Sequence, residues 1–313
     1  MITELSENRA EPDVYYSLEE LDTKTLRRLV QSIGLDETTL LLYRSIVHSP
    51  LHGSAIDSIN RMRDMDSYDH GNARVLIVPG FLHNEFPESG ADGRLIIEAA
   101  RQIGLDHEVL PSSSTGRLVD NANLLLSFLK RYSGRPLVLA SICKGGSEVV
   151  AAMQLDPSCE QFSDVVGWVN VCGVLRGSPV VDRISKQRVR MLGLRFFFAL
   201  RRWTIASLLD LRYEGGILEA GFEPPSHMKI VHAFGFPTEE DFTLAKLRSF
   251  HHQIGELGPN DGVILLHDAL RAAGVVYPVL GADHYMRPRF RVQPLCRGML
   301  RYAMGHQPAD ETR

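Results

Sequence analysis

Residues 136–146, PLVLASICKGG, constrain the fold more than any other stretch of the chain. A run of mostly apolar residues, ending at Ile142, passes straight into Cys143-Lys144-Gly145-Gly146, after which SEVVAAMQL has a helical pattern. A strand that turns into a helix within so few residues needs small side chains, here Ser141 and Gly145, on either side of the turn. It also holds the middle residue in a strained backbone conformation with its side chain projecting outward. That residue is Cys143. Two plainer readings compete. A free cysteine is usually a small buried hydrophobe. A phosphate-binding turn would read G-x-x-x-x-G-K-[ST], but Lys144 precedes both glycines.

Short apolar runs alternate with helical segments on both sides of this turn. Strands are expected at 74–80, 107–111, 136–142, 164–173, 228–236 and 275–281, with helices at 93–103 and 117–132. Such alternation implies a mostly parallel sheet covered by helices on both faces, the α/β class. Upstream, Ser17 and Glu20 have capping-box spacing and should open a helix running to Ile33, with Leu18, Leu21, Leu26, Leu29 and Val30 along one side. Further helices are expected at 37–47 and 54–65, while residues 1–12 read as disordered. Between the strands ending at Gly173 and beginning at Met228 lies a mostly helical excursion, longer than a crossover requires. The expected organisation is a helical extension over 1–73, a core over 74–173 and 228–313, and a helical lid or cap over 174–227.

The Ser-x-Cys-x-Gly turn resembles the nucleophile elbow of the α/β-hydrolase superfamily, in the version with cysteine in place of the usual serine. Downstream, GPNDGVI (258–264) is similar to the turn that carries the triad aspartate in some bacterial lipases, and Gly-Ser-Pro-Val-Val-Asp (177–182) to the segment leading into their lid. The elbow itself is similar to that of polyhydroxyalkanoate synthases. LGADHYM (280–286) follows the last strand, where the superfamily places its histidine. The resemblance therefore implies the α/β-hydrolase fold and a Cys143, His284 and Asp261 triad, in the superfamily's chain order of nucleophile, acid, histidine. Glu239, Glu240, Asp241 and Asp283 are rival acids. The resemblance also implies an oxyanion hole from the backbone N–H of Lys144 and of Phe81 or Leu82. His83, Phe196, Phe197 and Phe198 are candidates to face the substrate. Lys144 either places a cation beside the thiol or points to solvent.

A thiolate attacks acyl groups readily, and the thioester it forms yields to thiols, amines and alcohols as well as water. The expected activity is therefore esterase, thioesterase or acyltransferase chemistry on a hydrophobic acyl ester or thioester. The substrate is expected to be a small acyl compound, with coenzyme A and carrier-protein forms as open alternatives, and neither cofactor nor metal is expected. The four cysteines show no C-x-x-C spacing and read as reduced thiols. A net charge of −4 argues against nucleic acid as partner. The first sixteen residues are polar and acidic without an apolar core, which reads as no signal peptide and a cytoplasmic address. Residues 182–203 hold seven Lys/Arg against one acid, interleaved with Val189, Leu192, Leu194, Leu200 and Trp203. A membrane-docked, lipase-like enzyme and a non-catalytic receptor built on the same cleft are the alternatives.

Overall fold

In the computed structural model, residues 16–65, 69–132 and 134–305 are described; the disorder expected over 1–12 lies outside them. The chain enters through α1 (Thr23–Ile33), α2 (Leu35–Val47) and α3 (Pro50–Arg63). It continues through β1 (Arg74–Val78), α4 (Arg94–Gln102), β2 (Asp106–Val109), α5 (Leu118–Arg131), β3 (Leu137–Ile142) and α6 (Lys144–Leu155). After β4 (Val165–Val171) come α7 (Pro179–Lys186), α8 (Arg188–Leu200) and α9 (Ile205–Leu209). The chain then re-enters the sheet as β5 (Lys229–Phe236), followed by α10 (Ala245–Ile254), β6 (Val275–Leu280) and α11 (Arg289–Ala303). The six strands form one wholly parallel sheet in the order β2-β1-β3-β4-β5-β6. The order reverses direction after β2, and β3 at the centre of the sheet delivers Cys143.

Each expected strand is present, within a few residues at its ends. The strands are nearly continuous apolar runs because helices cover both faces; β3, for example, is buried from Leu137 to Ser141. The start of α1 differs from expectation. Ser17 N–H does donate to Glu20 Oε2 at 2.9 Å, but around an isolated turn. The helix begins after Asp22, whose carboxylate accepts the Thr25 N–H at 2.7 Å and satisfies a donor of the first turn. The N-terminal helices pack against α11, β5 and β6. His52 of α3 accepts the Val276 N–H of edge strand β6 at 3.2 Å, and Asn60 takes the Tyr277 hydroxyl at 2.8 Å. These helices thus cover an edge that would otherwise expose unpaired backbone.

Strand register assembles a buried polar relay beneath the central strand ends, with Ser141 beside Asn170 and Asn170 beside His232. Trp168 Nε1 donates to Ser141 Oγ at 2.8 Å, and Ser141 donates to Asn170 Oδ1 at 2.9 Å. Asn170 Nδ2 meets His232 Nδ1 at 3.0 Å, and His232 Nε2 meets the Ala273 carbonyl at 3.0 Å. All donors and acceptors match if His232 is neutral with its proton on Nε2. Burial pushes the His232 imidazole down to about 4. A histidine held neutral stabilises the fold above its unfolded value near 6.5, and that contribution is lost as pH falls towards 4. Between pH 7 and pH 5 the parent should therefore lose about 2 kcal/mol more stability than His232→Asn in denaturant unfolding. Equal losses in the two proteins would contradict a neutral, buried His232.

Candidate active site

Cys143 sits between β3 and α6 at φ 50° and ψ −117°, in the positive-φ region that costs an L-residue energy. The turn persists because its surroundings leave little alternative. Cys143 N–H donates to the Val171 carbonyl at 3.0 Å, and the Cys143 carbonyl accepts from Gly146 at 3.1 Å and Val174 at 3.0 Å. A Cβ on Gly145 would lie 2.1 Å from the Val78 carbonyl oxygen, and one on Gly146 2.6 Å from Asn170 Oδ1. Only glycine lets α6 start this close to β1 and β4.

The thiol projects towards His284, in the loop after β6, with Sγ 3.3 Å from Nε2. The other ring nitrogen, Nδ1, is 2.7 Å from Asp261 Oδ2. Asp261 is fully buried, and its second oxygen accepts the N–H groups of Val263 and Ile264, both at 2.9 Å. Neighbouring Asn260 braces the turn: its Oδ1 accepts the Gly262 N–H at 3.0 Å and lies 3.0 Å from His251 Nδ1. Each polar residue of the PNDG segment therefore has a partner.

The rival acids are engaged elsewhere. Glu239 faces His252 at 3.2 Å, Asp241 accepts from Thr238, and Asp283 accepts the N–H groups of Tyr285 and Arg287. Glu240 lies on the same exposed 3₁₀ turn as Glu239.

Burial by itself would raise the Cys143 thiol. The charge and hydrogen bond of His284, with the backbone N–H groups of Lys144 and Phe81 directed at the sulfur, bring it below its ordinary value instead. Burial would likewise lower His284, but Asp261 first and then Cys143 hold it well above the usual histidine range. Each group thus favours the charged form of the other.

The two expected oxyanion-hole candidates part company here. The Phe81 N–H points at the sulfur, whereas the Leu82 N–H is spent on the Ser114 carbonyl at 3.1 Å. Leu82 itself is at φ 56°. Lys144 supplies its backbone N–H, but its ammonium neither neighbours the thiol nor reaches solvent. It is 1% exposed and paired with Glu148, which also accepts Asn121 Nδ2 at 2.7 Å. Asn121 in turn binds both backbone groups of Ser113, adjoining the Ser114 that anchors Leu82. A buried network thus joins the first turn of α6 to the loop that carries Phe81.

The substrate-facing candidates lie elsewhere than expected. A largely apolar cleft reaches Cys143 and His284 between the 89–96 segment and α11, lined by Ala91, Leu95, Ile142, Tyr285, Met286 and Cys296 among others. Phe196, Phe197 and Phe198 are absent from its lining. The inward face of α8 is Met191, Leu194 and Phe198, so Phe196 points the opposite way and is 71% exposed. Phe198 stacks on Phe81 at 6.5 Å and meets Trp203 at 5.6 Å, and Phe197 meets Trp203 at 5.5 Å. These aromatics brace the Phe81 loop from outside instead of lining a channel. His83 is pinned through Nδ1 to the Gly80 carbonyl at 2.9 Å and is not among the cleft residues.

Reasoning from sequence missed Cys172. This residue, at φ 46° just past β4, brings its sulfur within 4.8 Å of ligand atoms of both Asp261 and His284. Three such groups resemble a metal set, but Asp261 and His284 already spend those atoms on one another and on backbone amides. Burial, followed by the Asp261 charge, raises the Cys172 thiol well above its ordinary value, so it is a neutral thiol.

No protein-family model and no curated protein matches the sequence. Solved structures do resemble it. A metagenomic carboxyl esterase, MGS0156, superposes with a TM-score of 0.57 at 18% identity, over 76% of this chain and 77% of that one. The mature Bacillus licheniformis lipase BlEst2 superposes with a TM-score of 0.52 at 17% identity, over 74% of this chain and 95% of that one. The fold is that of the α/β hydrolases, with a wholly parallel six-stranded sheet.

The Cys143–His284 geometry predicts how the thiol titrates. Alkylation of Cys143 by iodoacetamide should rise with pH earlier than for an ordinary thiol, because His284 lowers the thiol. In His284→Asn the rise should move towards the ordinary thiol value near 8.5. Coincident profiles for the two proteins would contradict the coupling of Cys143 to His284.

Proposed function

We propose that this chain is an acyl-transfer enzyme of the α/β-hydrolase fold that cleaves a hydrophobic ester or thioester through Cys143. The observation that carries this reading is the continuous line from Asp261 through His284 to Cys143 Sγ. The same atoms order the chemistry. The thiolate attacks the acyl carbonyl carbon, and the carbonyl electrons move onto oxygen. The N–H groups of Phe81 and Lys144 stabilise that oxyanion, an arrangement in which each donor contributes about a hundredfold or more in rate. Collapse breaks the bond to the leaving oxygen or sulfur, which takes the proton from His284 Nε2, and leaves an acyl-thioester on Cys143. Water then gives a proton to Nε2 while its oxygen attacks the thioester. The carboxylic acid departs, and the thiolate is restored. Asp261 keeps Nδ1–H oriented throughout and favours the imidazolium.

Apolar walls suit a hydrocarbon acyl chain, and the esterase and lipase structures named above support ester cleavage through their shared fold. A thiol adds a second outcome, because its acyl-thioester yields to amines and thiols more readily than an oxygen ester does. Esters and thioesters of graded chain length, offered with and without amine or thiol acceptors, test the reading. Cys143→Ala should abolish turnover. Cys143→Ser should lose transfer to the acceptors by at least about a hundredfold while keeping slow hydrolysis. Undiminished turnover in Cys143→Ala would overturn the assignment, and a serine variant that matches the parent with every acceptor would deny the thiol any special role.

A further inference from the structure

Helix α8 presents a face that the active-site chemistry does not use. Val189 is 88% exposed, and Leu192, Phe196 and Leu200 are 71% exposed each. Their spacings of three and four place all four on one stripe, opposite the Met191 and Phe198 that pack inward. Arginines border the stripe on both sides. Arg188 and Arg195 lie along one flank, Arg190 and Arg201 along the other, Arg202 follows past the end of the helix at φ 57°, and all five are exposed. No acidic residue occurs in α8, and among the described residues no carboxylate lies within ion-pair distance of these five. A helix so disposed keeps large apolar groups in water at a cost, and the cost is removed when that face is covered.

We infer that α8 docks this protein onto an anionic lipid bilayer, its apolar stripe entering the interface and its two arginine rows meeting the headgroups. The shape fits a flat surface. The stripe lies on the outer side of the helix with cations on both flanks, as in helices that lie in the plane of a membrane. A second copy of this chain is a poor occupant, because face-to-face stripes would bring arginine rows against arginine rows. No helix among the described residues is long and apolar enough to span a bilayer, so attachment would be to one leaflet's surface. The inference does not depend on the chemistry proposed for Cys143.

Co-sedimentation of the full chain with phosphatidylcholine vesicles, with and without phosphatidylglycerol, tests it. The parent should bind the anionic vesicles at least about tenfold more tightly, with affinity falling as salt rises. Leu192→Ser/Leu200→Ser should lose binding to both kinds of vesicle while its thermal unfolding midpoint stays that of the parent. Arg188→Gln/Arg190→Gln/Arg195→Gln should lose the preference for phosphatidylglycerol. No binding to anionic vesicles, or equal binding to both kinds, would overturn the proposal. So would a parent protein that dimerises in solution and becomes monomeric in Leu192→Ser/Leu200→Ser.

Discussion

The molecule depends on one backbone turn that an L-residue resists. Cys143 at positive φ is worth a penalty of about 1–3 kcal/mol in isolation. It is held because β1, β3, β4 and α6 meet within a few ångströms, with Gly145 against the Val78 carbonyl and Gly146 against Asn170. Three backbone hydrogen bonds close the turn. Release of the strain would swing the sulfur away from His284 and from the Phe81 and Lys144 amides together, since all three partners are defined by where the turn aims it. The relay from Trp168 to Ala273 lies directly beneath and gives the central strands one set of polar partners.

Electrostatics then follow from burial. Asp261 is removed from water, accepts three hydrogen bonds, and raises His284. The imidazolium this favours lowers the thiol in turn, and low-dielectric surroundings strengthen each link. Lys144 does different work from a cation placed beside a nucleophile. Its ammonium neutralises Glu148 inside the core, and its main chain alone faces the sulfur. A buried pair of this kind gives little net stability but severely penalises other arrangements. It suits a network that ties α6 to the Phe81 loop.

Much of this was legible in the sequence, for local reasons. The elbow, the PNDG turn and the histidine loop are short segments whose shape is set by their own small and turn-forming residues. The strands are apolar runs that only a covered sheet explains. What escaped depends on contacts between distant segments. Ser141, Trp168, Asn170 and His232 read singly as strand residues, and only parallel register brings them into line. Cys172 approaches Asp261 across a chain separation no spacing rule spans. Taking the three phenylalanines of α8 as one group overlooks helical geometry, which sends Phe198 inward and Phe196 outward. Asp22 displaced Ser17 as the start of α1 because both can cap a helix and the sequence ranks neither.

The central claim is that the turn at residue 143 exists to present a nucleophilic thiolate to an acyl carbonyl. The most direct measurement is intact-protein mass spectrometry after brief exposure to a series of acyl thioesters, followed by peptide mapping. The account predicts an added mass equal to the acyl group, confined to the peptide containing Cys143, removable by hydroxylamine and absent from Cys143→Ala. Turnover of the same thioesters with the adduct on another residue, or with an equal adduct in Cys143→Ala, would contradict it.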